Sequence, residues 1–171
     1  GRLHLGAAGD GSITVRNGGA VSFTGTEFAS SNFGSATLLL TGNGSSFTSN
    51  GETDVGGGSL VSGGIALITI NPGTSVTVSG SNQLKIWTSG TVNLNGGTLS
   101  TGFFNMQGGI FNWNSGTVVL TNANGSSIGA SQPFLDPVDL TIGKTLRATS
   151  TLSLSSNGLV TTDGGNFFAG T

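Results

Sequence analysis

The stretch Val92-Asn93-Leu94-Asn95-Gly96-Gly97-Thr98-Leu99-Ser100 carries the pattern that decides the fold. Apolar and polar residues alternate on both sides of a Gly-Gly pair, and such alternation indicates half-buried strands. Shifted by twelve positions, it aligns with Phe104-Asn105-Met106-Gln107-Gly108-Gly109-Ile110-Phe111-Asn112. The match predicts an internal structural repeat.

Short alternating segments continue along the whole chain, for example Ser12–Val15, Ser75–Val78 and Thr151–Leu154. Asn-Gly, Asp-Gly and Gly-Gly pairs separate them, and these pairs accept the positive φ of tight turns. Strands this short and this frequent do not fit an ordinary sandwich. The pattern instead predicts an all-β solenoid, a single domain over residues 1–171 with about seven to eight coils of about 18–26 residues.

Stacked coils place equivalent side chains one strand spacing apart, so apolar residues form a continuous core. Asparagines at turns would form amide ladders in such a stack, and we expect this of a set of five: Asn93, Asn95, Asn105, Asn112 and Asn114. One segment departs from the pattern. Residues 122–138 contain Pro133 and Pro137, and they predict an irregular loop projecting from the column.

Composition excludes several classes of function. The chain has 32 glycines, no cysteine, 7% charged residues and a net charge of −2, so it lacks the basic surface that nucleic acid requires. The longest apolar run, Ile65–Ile70, is far too short to cross a bilayer. We therefore expect no nucleic-acid partner and no membrane insertion. The chain begins at Gly1 and shows no signal region, which suggests a mature product or part of a longer protein.

The residues that could perform chemistry are few. His4, the only histidine, alternates with Leu3 and Leu5, which predicts a solvated strand position. The closest acid pairs are Glu52 with Asp54 and Asp136 with Asp139. An extended strand would place Glu52 and Asp54 on one face, a geometry compatible with paired-carboxylate catalysis or calcium. Acids in turn-rich segments are more often simply solvated, so we expect no catalytic residue, no metal and no cofactor.

Aromatic residues offer another kind of site. Alternation in Leu84-Lys85-Ile86-Trp87 places Trp87 outside with Lys85, whereas Trp113 shares a face with Phe111 and is expected in the core. Trp87 is thus the candidate glycan contact.

Three further segments, Gly116–Thr121, Leu140–Leu146 and Thr151–Leu154, give the chain its resemblance to a family. In them it resembles the repeat regions of autotransporter-like bacterial surface proteins, which share the pectin-lyase-like right-handed β-helix. The resemblance implies a right-handed parallel solenoid at the cell surface or outside the cell. Family members include adhesins, stalks and enzymes, so the fold alone does not give the function. The enzymes of this fold show dense Asp clusters with nearby Arg or His, and the present sequence lacks them.

The sequence therefore predicts a non-enzymatic extracellular structural protein that builds a filament or stalk by end-to-end stacking. Uncapped terminal coils expose strand edges that can pair with a terminal coil of another copy of the chain. The expected contacts in this homopolymer are Leu3 and Leu5 at one end and Phe167 and Phe168 at the other. The alternative is an adhesin or glycan-binding passenger segment that presents Trp87 or the 122–138 loop.

Overall fold

The computed structural model describes residues 1–128, 138–149, 152–154 and 160–169. Within those ranges the regular structure consists of strands. In chain order the strands are β1 (Leu3–Leu5), β2 (Asp10–Val15), β3 (Ala20–Phe23), β4 (Thr26–Phe28), β5 (Ser35–Leu40), β6 (Ser46–Ser49), β7 (Thr53–Val55), β8 (Ile65–Ile70), β9 (Ser75–Val78), β10 (Gln83–Trp87), β11 (Gly90–Thr101), β12 (Phe103–Gln107), β13 (Ile110–Leu120), β14 (Ser126–Ile128), β15 (Val138–Thr141), β16 (Lys144–Ala148), β17 (Leu152–Leu154), β18 (Val160–Asp163) and β19 (Asn166–Ala169). In the described part of the chain, no helix is long and apolar enough to cross a membrane.

All pairings between these strands are parallel. Sheet 1 has the order β1-β4-β7-β10-β12. Sheet 2 has ten strands, in which β2, β5 and β8 form one column and β3, β6 and β9 form another. The long strands β11 and β13 continue both columns, because the first half of β11 pairs with β8 and its second half pairs with β9. The fold is therefore all-β with parallel sheets.

In-register pairing stacks similar side chains on one another. One core column runs from Ile13 through Leu38, Ile68 and Val92 to Phe111. The middle three are at most 1% exposed. At the ~25 cal/mol per Å² typical of apolar burial, such columns dominate the stability of the fold.

The asparagine ladders of the sequence analysis are present on the outer surface. Asn112 Nδ2 donates to Asn93 Oδ1 over 2.8 Å, and Asn114 Nδ2 donates to Asn95 Oδ1 over 2.7 Å. Asn105 donates instead to Gln83 Oε1. Matching amides on neighbouring strands thus support the register that the core columns set.

The twelve-residue repeat predicted from the sequence is wrong. Val92 pairs with Phe111, whereas Phe104 pairs with Leu84 in sheet 1. The first stretch lies within β11 of sheet 2, whereas the second begins in β12 of sheet 1 and ends in β13 of sheet 2. The two resemble each other because both alternate around a Gly-Gly pair. The spacing between paired residues ranges from the 19 of Asn93 and Asn112 to the 31 of Glu52 and Gln83, beyond the predicted upper limit.

The structure confirms one of the Asn-Gly turns predicted from the sequence and places another inside a strand. Asn17 and Gly18 adopt φ of 55° and 75°, as a tight turn requires. Asn95-Gly96 lies inside β11, where Gly96 has φ of 113° and the register with β13 shifts. A bulge at Gly96 therefore lets one strand serve both columns of sheet 2.

The loop predicted over residues 122–138 is corrected in part. Ser126–Ile128 forms strand β14, which pairs with Leu152–Leu154. Residues 129–137 lie outside the described part of the chain.

Candidate functional site

The outward face of sheet 1 carries a column of ionisable residues, the charged column. His4, Glu27, Asp54 and Lys85 occupy directly paired positions on β1, β4, β7 and β10. The alternate residues of these strands point inward and hold the strands in place, as Phe28, Val55 and Ile86 are fully buried. Parallel pairing thus lines up four charged positions about 4.8 Å apart.

Ion pairs connect the column with two residues beside it, Arg2 and Glu52. Arg2 Nη2 lies 2.8 Å from Glu27 Oε1, and His4 Nδ1 lies 2.9 Å from Glu27 Oε2. Lys85 Nζ lies 2.7 Å from Glu52 Oε1 and 3.5 Å from Asp54 Oδ1. The chain has 13 acidic, basic and histidine residues, so placing six of them here concentrates its scarce charge at one site.

A small hairpin in the β7–β8 connection covers the Asp54–Lys85 end of the charged column, whereas the His4 side chain at the other end is 48% exposed. Gly57 and Ser62 form an antiparallel bridge, and the Gly58 N–H donates to the Val61 carbonyl. Two long side chains of β10 hold the hairpin down. Lys85 Nζ donates to the Ser59 carbonyl over 2.7 Å, and Trp87 Nε1 donates to the Gly58 carbonyl over 2.9 Å.

The glycines of the connection allow this close approach. A Cβ at Gly57 would collide with the Trp87 ring, and Gly56 has φ of 77°. Larger residues would lift the hairpin from the sheet. The run Gly56-Gly57-Gly58 is therefore the local sequence feature that lets the hairpin backbone pack closely against Lys85 and Trp87.

Asp54 is the most unusual residue of the site. It is 0% exposed, and neither carboxyl oxygen accepts a hydrogen bond from any residue in the described ranges. Burial raises the pKa of Asp54 to about 6, and repulsion from Glu52 adds to the effect, while Lys85 opposes it. A substantial fraction of this carboxyl is thus neutral in mildly acidic solution.

Glu52 behaves in the opposite way. Burial acts to raise the pKa of Glu52, but the hydrogen bond and the positive charge of Lys85 outweigh it and hold the pKa below its usual value. The two carboxyl groups that contact the Lys85 amine thus differ in protonation: Asp54 tends to be neutral, and Glu52 tends to be charged.

The predicted pairing of Glu52 and Asp54 on one face is confirmed, because both contact Lys85 Nζ. An ammonium group, not a cation site, lies between them. In the described ranges, no three His, Cys, Asp or Glu residues are placed to hold a metal ion. Of the other acid pair, Asp136 lies outside the described residues, and Asp139 is described only as a strand position in β15.

The structure places the candidate glycan contact Trp87 beside Lys85, as predicted. Lys85 Nζ lies 5.5 Å from the Trp87 ring centroid. The indole is half-buried under the hairpin and its N–H is already used, so it is not an open platform. Trp113 packs against the core with Phe111, also as predicted.

The four predicted assembly residues lie in two end strands: β1 is the first strand of sheet 1, and β19 is the last strand of its column in sheet 2. Leu3 and Leu5 in β1 are partly buried against the core. Phe167 and Phe168 in β19 are 40% and 54% exposed. Leu3 and Leu5 flank His4 of the charged column, whereas Phe167 and Phe168 lie in sheet 2.

Sequence reasoning missed Arg2 and Lys85 as partners of the acids, and it missed the hairpin. The outward position of Lys85 was readable from alternation, but its burial was not, because the covering residues lie 26 positions away. Comparison of the chain with protein-family models, with curated proteins and with solved structures finds no match. The resemblance to autotransporter-like repeats therefore rests on the sequence pattern.

Proposed function

We propose that the chain is a right-handed parallel β-solenoid that serves as a structural column, and that it assembles end to end with further copies. The parallel pairing supports the solenoid. β1, β2 and β3 pair with β4, β5 and β6, and those pair in turn with β7, β8 and β9. Each set of three strands is then one coil, and stacked coils transmit load along one axis.

The observation that carries the assembly proposal is the free edge of the first coil. In the described ranges, β1, β2 and β3 each pair with one strand only. Val15 O accepts from Thr41 N–H and Gly9 O accepts from Ser35 N–H, so the odd residues of β2 bond to β5. The alternate residues, among them Ser12 and Thr14, direct their backbone groups at the open edge. Such an edge is a template for another strand.

The other half of the contact is strand β19, at the far end of its column. Phe167 pairs with Leu146, which continues the apolar column of β16, β13 and β11. At the opposite end of the same column stands Val21, paired with Phe47. Head-to-tail stacking would place Phe167 of one copy on Val21 of the next and bury both side chains.

Two features support a passive role over catalysis. The one concentration of charge found in the described ranges is the charged column with Arg2 and Glu52, and its acids are engaged with Arg2, His4 and Lys85. The outer surface carries amide ladders that serve the stack itself. A cell-surface or extracellular location is part of the proposal and follows from the resemblance to autotransporter-like repeats.

The test uses the 171-residue chain in light scattering and negative-stain microscopy. We expect linear particles whose length grows with concentration. In β3 the Gly19 and Phe23 carbonyls accept from N–H groups on the β6 side, so the Ser22 N–H faces the open edge on which β19 would stack. Ser22→Pro removes that N–H, so it should shorten the particles while leaving the far-ultraviolet circular dichroism unchanged.

The matched control is Ser22→Ala, which also loses the hydroxyl that accepts from Asn50 Nδ2 but keeps the N–H, and it should assemble like the parent. Monomers at all concentrations would contradict the proposal. So would assembly that Ser22→Pro leaves unchanged.

A further inference from the structure

Lys85 and Asp54 are directly paired neighbours on β10 and β7. The Lys85 side chain is 9% exposed and the Asp54 side chain 0% exposed, and Nζ lies 3.5 Å from Oδ1. Contacts from Nζ to Glu52 Oε1 and to the Ser59 carbonyl, both 2.7 Å, hold the amine in this position. An amine, a carboxyl and a second carboxylate therefore meet in a space from which the hairpin keeps most water.

We propose that Lys85 and Asp54 condense into an intramolecular amide bond, with Glu52 as the proton acceptor. Glu52 takes one proton from the Lys85 ammonium, and the resulting amine attacks Cγ of the neutral Asp54 carboxyl. The C–N bond forms and the C–OH bond breaks. A second proton from nitrogen leaves with that hydroxyl as water, and the proton on Glu52 passes to solvent.

Three physical effects favour the reaction at this site. The strand register fixes the two groups as neighbours, and such positioning gives effective molarities of up to ~10⁵ M or more. The raised pKa of Asp54 increases the fraction of its neutral form, which is the better acyl donor. The hairpin limits hydrolysis of the product.

The product also removes a cost of the unreacted protein. A buried ion pair loses hydration that the attraction between its charges repays only in good geometry, and Asp54 accepts no hydrogen bond from any described residue. Condensation replaces the buried amine and the buried carboxyl by one neutral amide. The bond would brace β7 to β10, so that two neighbouring strands of sheet 1 could not separate.

The first test is the intact mass of the purified 171-residue chain. We expect a mass lower than the sequence mass by one water molecule. Trypsin should then fail to cleave after Lys85 but still cleave after Lys144, the other lysine. Fragmentation of the resulting 17–144 peptide should place the linkage between Lys85 and Asp54.

Two variants and one chemical control separate this bond from other losses of water. Lys85→Arg keeps the charge but cannot form the amide, so it should show the full mass. Glu52→Gln lacks the proton acceptor and should form the bond roughly a hundredfold more slowly. Succinimides at Asp10-Gly11 or Asp163-Gly164 would also lose water, but mild alkali hydrolyses them and leaves an amide intact.

The parent mass decides the question even if a variant does not fold. A full sequence mass that persists after prolonged incubation at pH 6 and at pH 8 would overturn the proposal. Fragments that join Lys85 to Glu52 instead would overturn the assignment of Asp54.

Discussion

Trp87 donates its indole N–H to the carbonyl oxygen of Gly58, 29 residues earlier in the chain. Together with the bond from Lys85 Nζ to the Ser59 carbonyl, it joins β10 of sheet 1 to the hairpin. It also explains why an aromatic residue on the outward face is half-buried. The bond makes Trp87 a structural residue, and its substitution should destabilise the hairpin before the rest of sheet 1.

We expect Trp87→Phe to lower the free energy of unfolding by about 1 kcal/mol, because the Gly58 carbonyl loses its donor while the ring is largely kept. Urea unfolding measures the change. Hydrogen exchange should show faster exchange of the Gly58 amide, which donates to Val61 within the hairpin.

Trp113→Phe is the matched control, since Trp113 Nε1 donates to the Gly116 carbonyl away from the hairpin. It should cost a similar free energy without changing exchange at Gly58. Equal exchange at Gly58 in both variants would show that Trp87 does not hold the hairpin.

Gly57→Ala should lower the free energy of unfolding more than the addition of one methyl group usually does. The added methyl group would meet the Trp87 ring and the Val61 carbonyl, so the hairpin must move outward. We expect a loss of about 2 kcal/mol or more in urea unfolding, typical of overpacking in a closed site.

Gly9→Ala provides the comparison, because a Cβ at Gly9 has no atom within 4 Å. Its stability should be unchanged or slightly higher, since alanine restricts the unfolded chain. Similar stability of the two variants would mean that the contact between Gly57 and Trp87 is not tight.

The sequence predicts local features of this fold better than distant ones. Alternation at Leu84–Trp87 correctly placed Lys85 and Trp87 on one face, although Lys85 is buried there, and Asn93 and Asn112 were both among the asparagines expected to form ladders. The sequence did not predict the spacing between paired strands, because connections such as 56–64 are long and carry no alternating pattern. The burial of Asp54 was missed for the same reason, as the residues that cover it belong to that connection and to β10.

The core column should dominate stability, as the in-register stacking implies. Leu38→Ala removes a fully buried side chain between Ile13 and Ile68, and we expect a loss of about 3 kcal/mol. Chemical denaturation monitored by circular dichroism measures it.

Leu60→Ala is the control, since Leu60 at the hairpin tip is 92% exposed. Its effect should stay within about 0.5 kcal/mol. A small loss for Leu38→Ala would contradict a continuous core between the strands of sheet 2.

The protonation of Asp54 makes stability depend on pH in an uncommon direction. A carboxyl whose pKa is raised to about 6 binds its proton more tightly in the folded chain than in the unfolded chain. The free energy of unfolding should therefore rise as the pH falls from 7 toward 5, by about 1 kcal/mol. Below the usual pKa of a glutamate the trend should reverse, because the lowered pKa of Glu52 then costs stability.

The measurement uses protein whose mass equals the sequence mass, so that Asp54 is free to titrate. Asp54→Asn is the control: it cannot ionise, and its stability should stay nearly level between pH 7 and 5. A parent that loses stability over this interval would show that Asp54 stays ionised in the folded state. Asp54 would then be charged beneath the hairpin, and the attraction of Lys85 and Arg2 would have to exceed the cost of its burial.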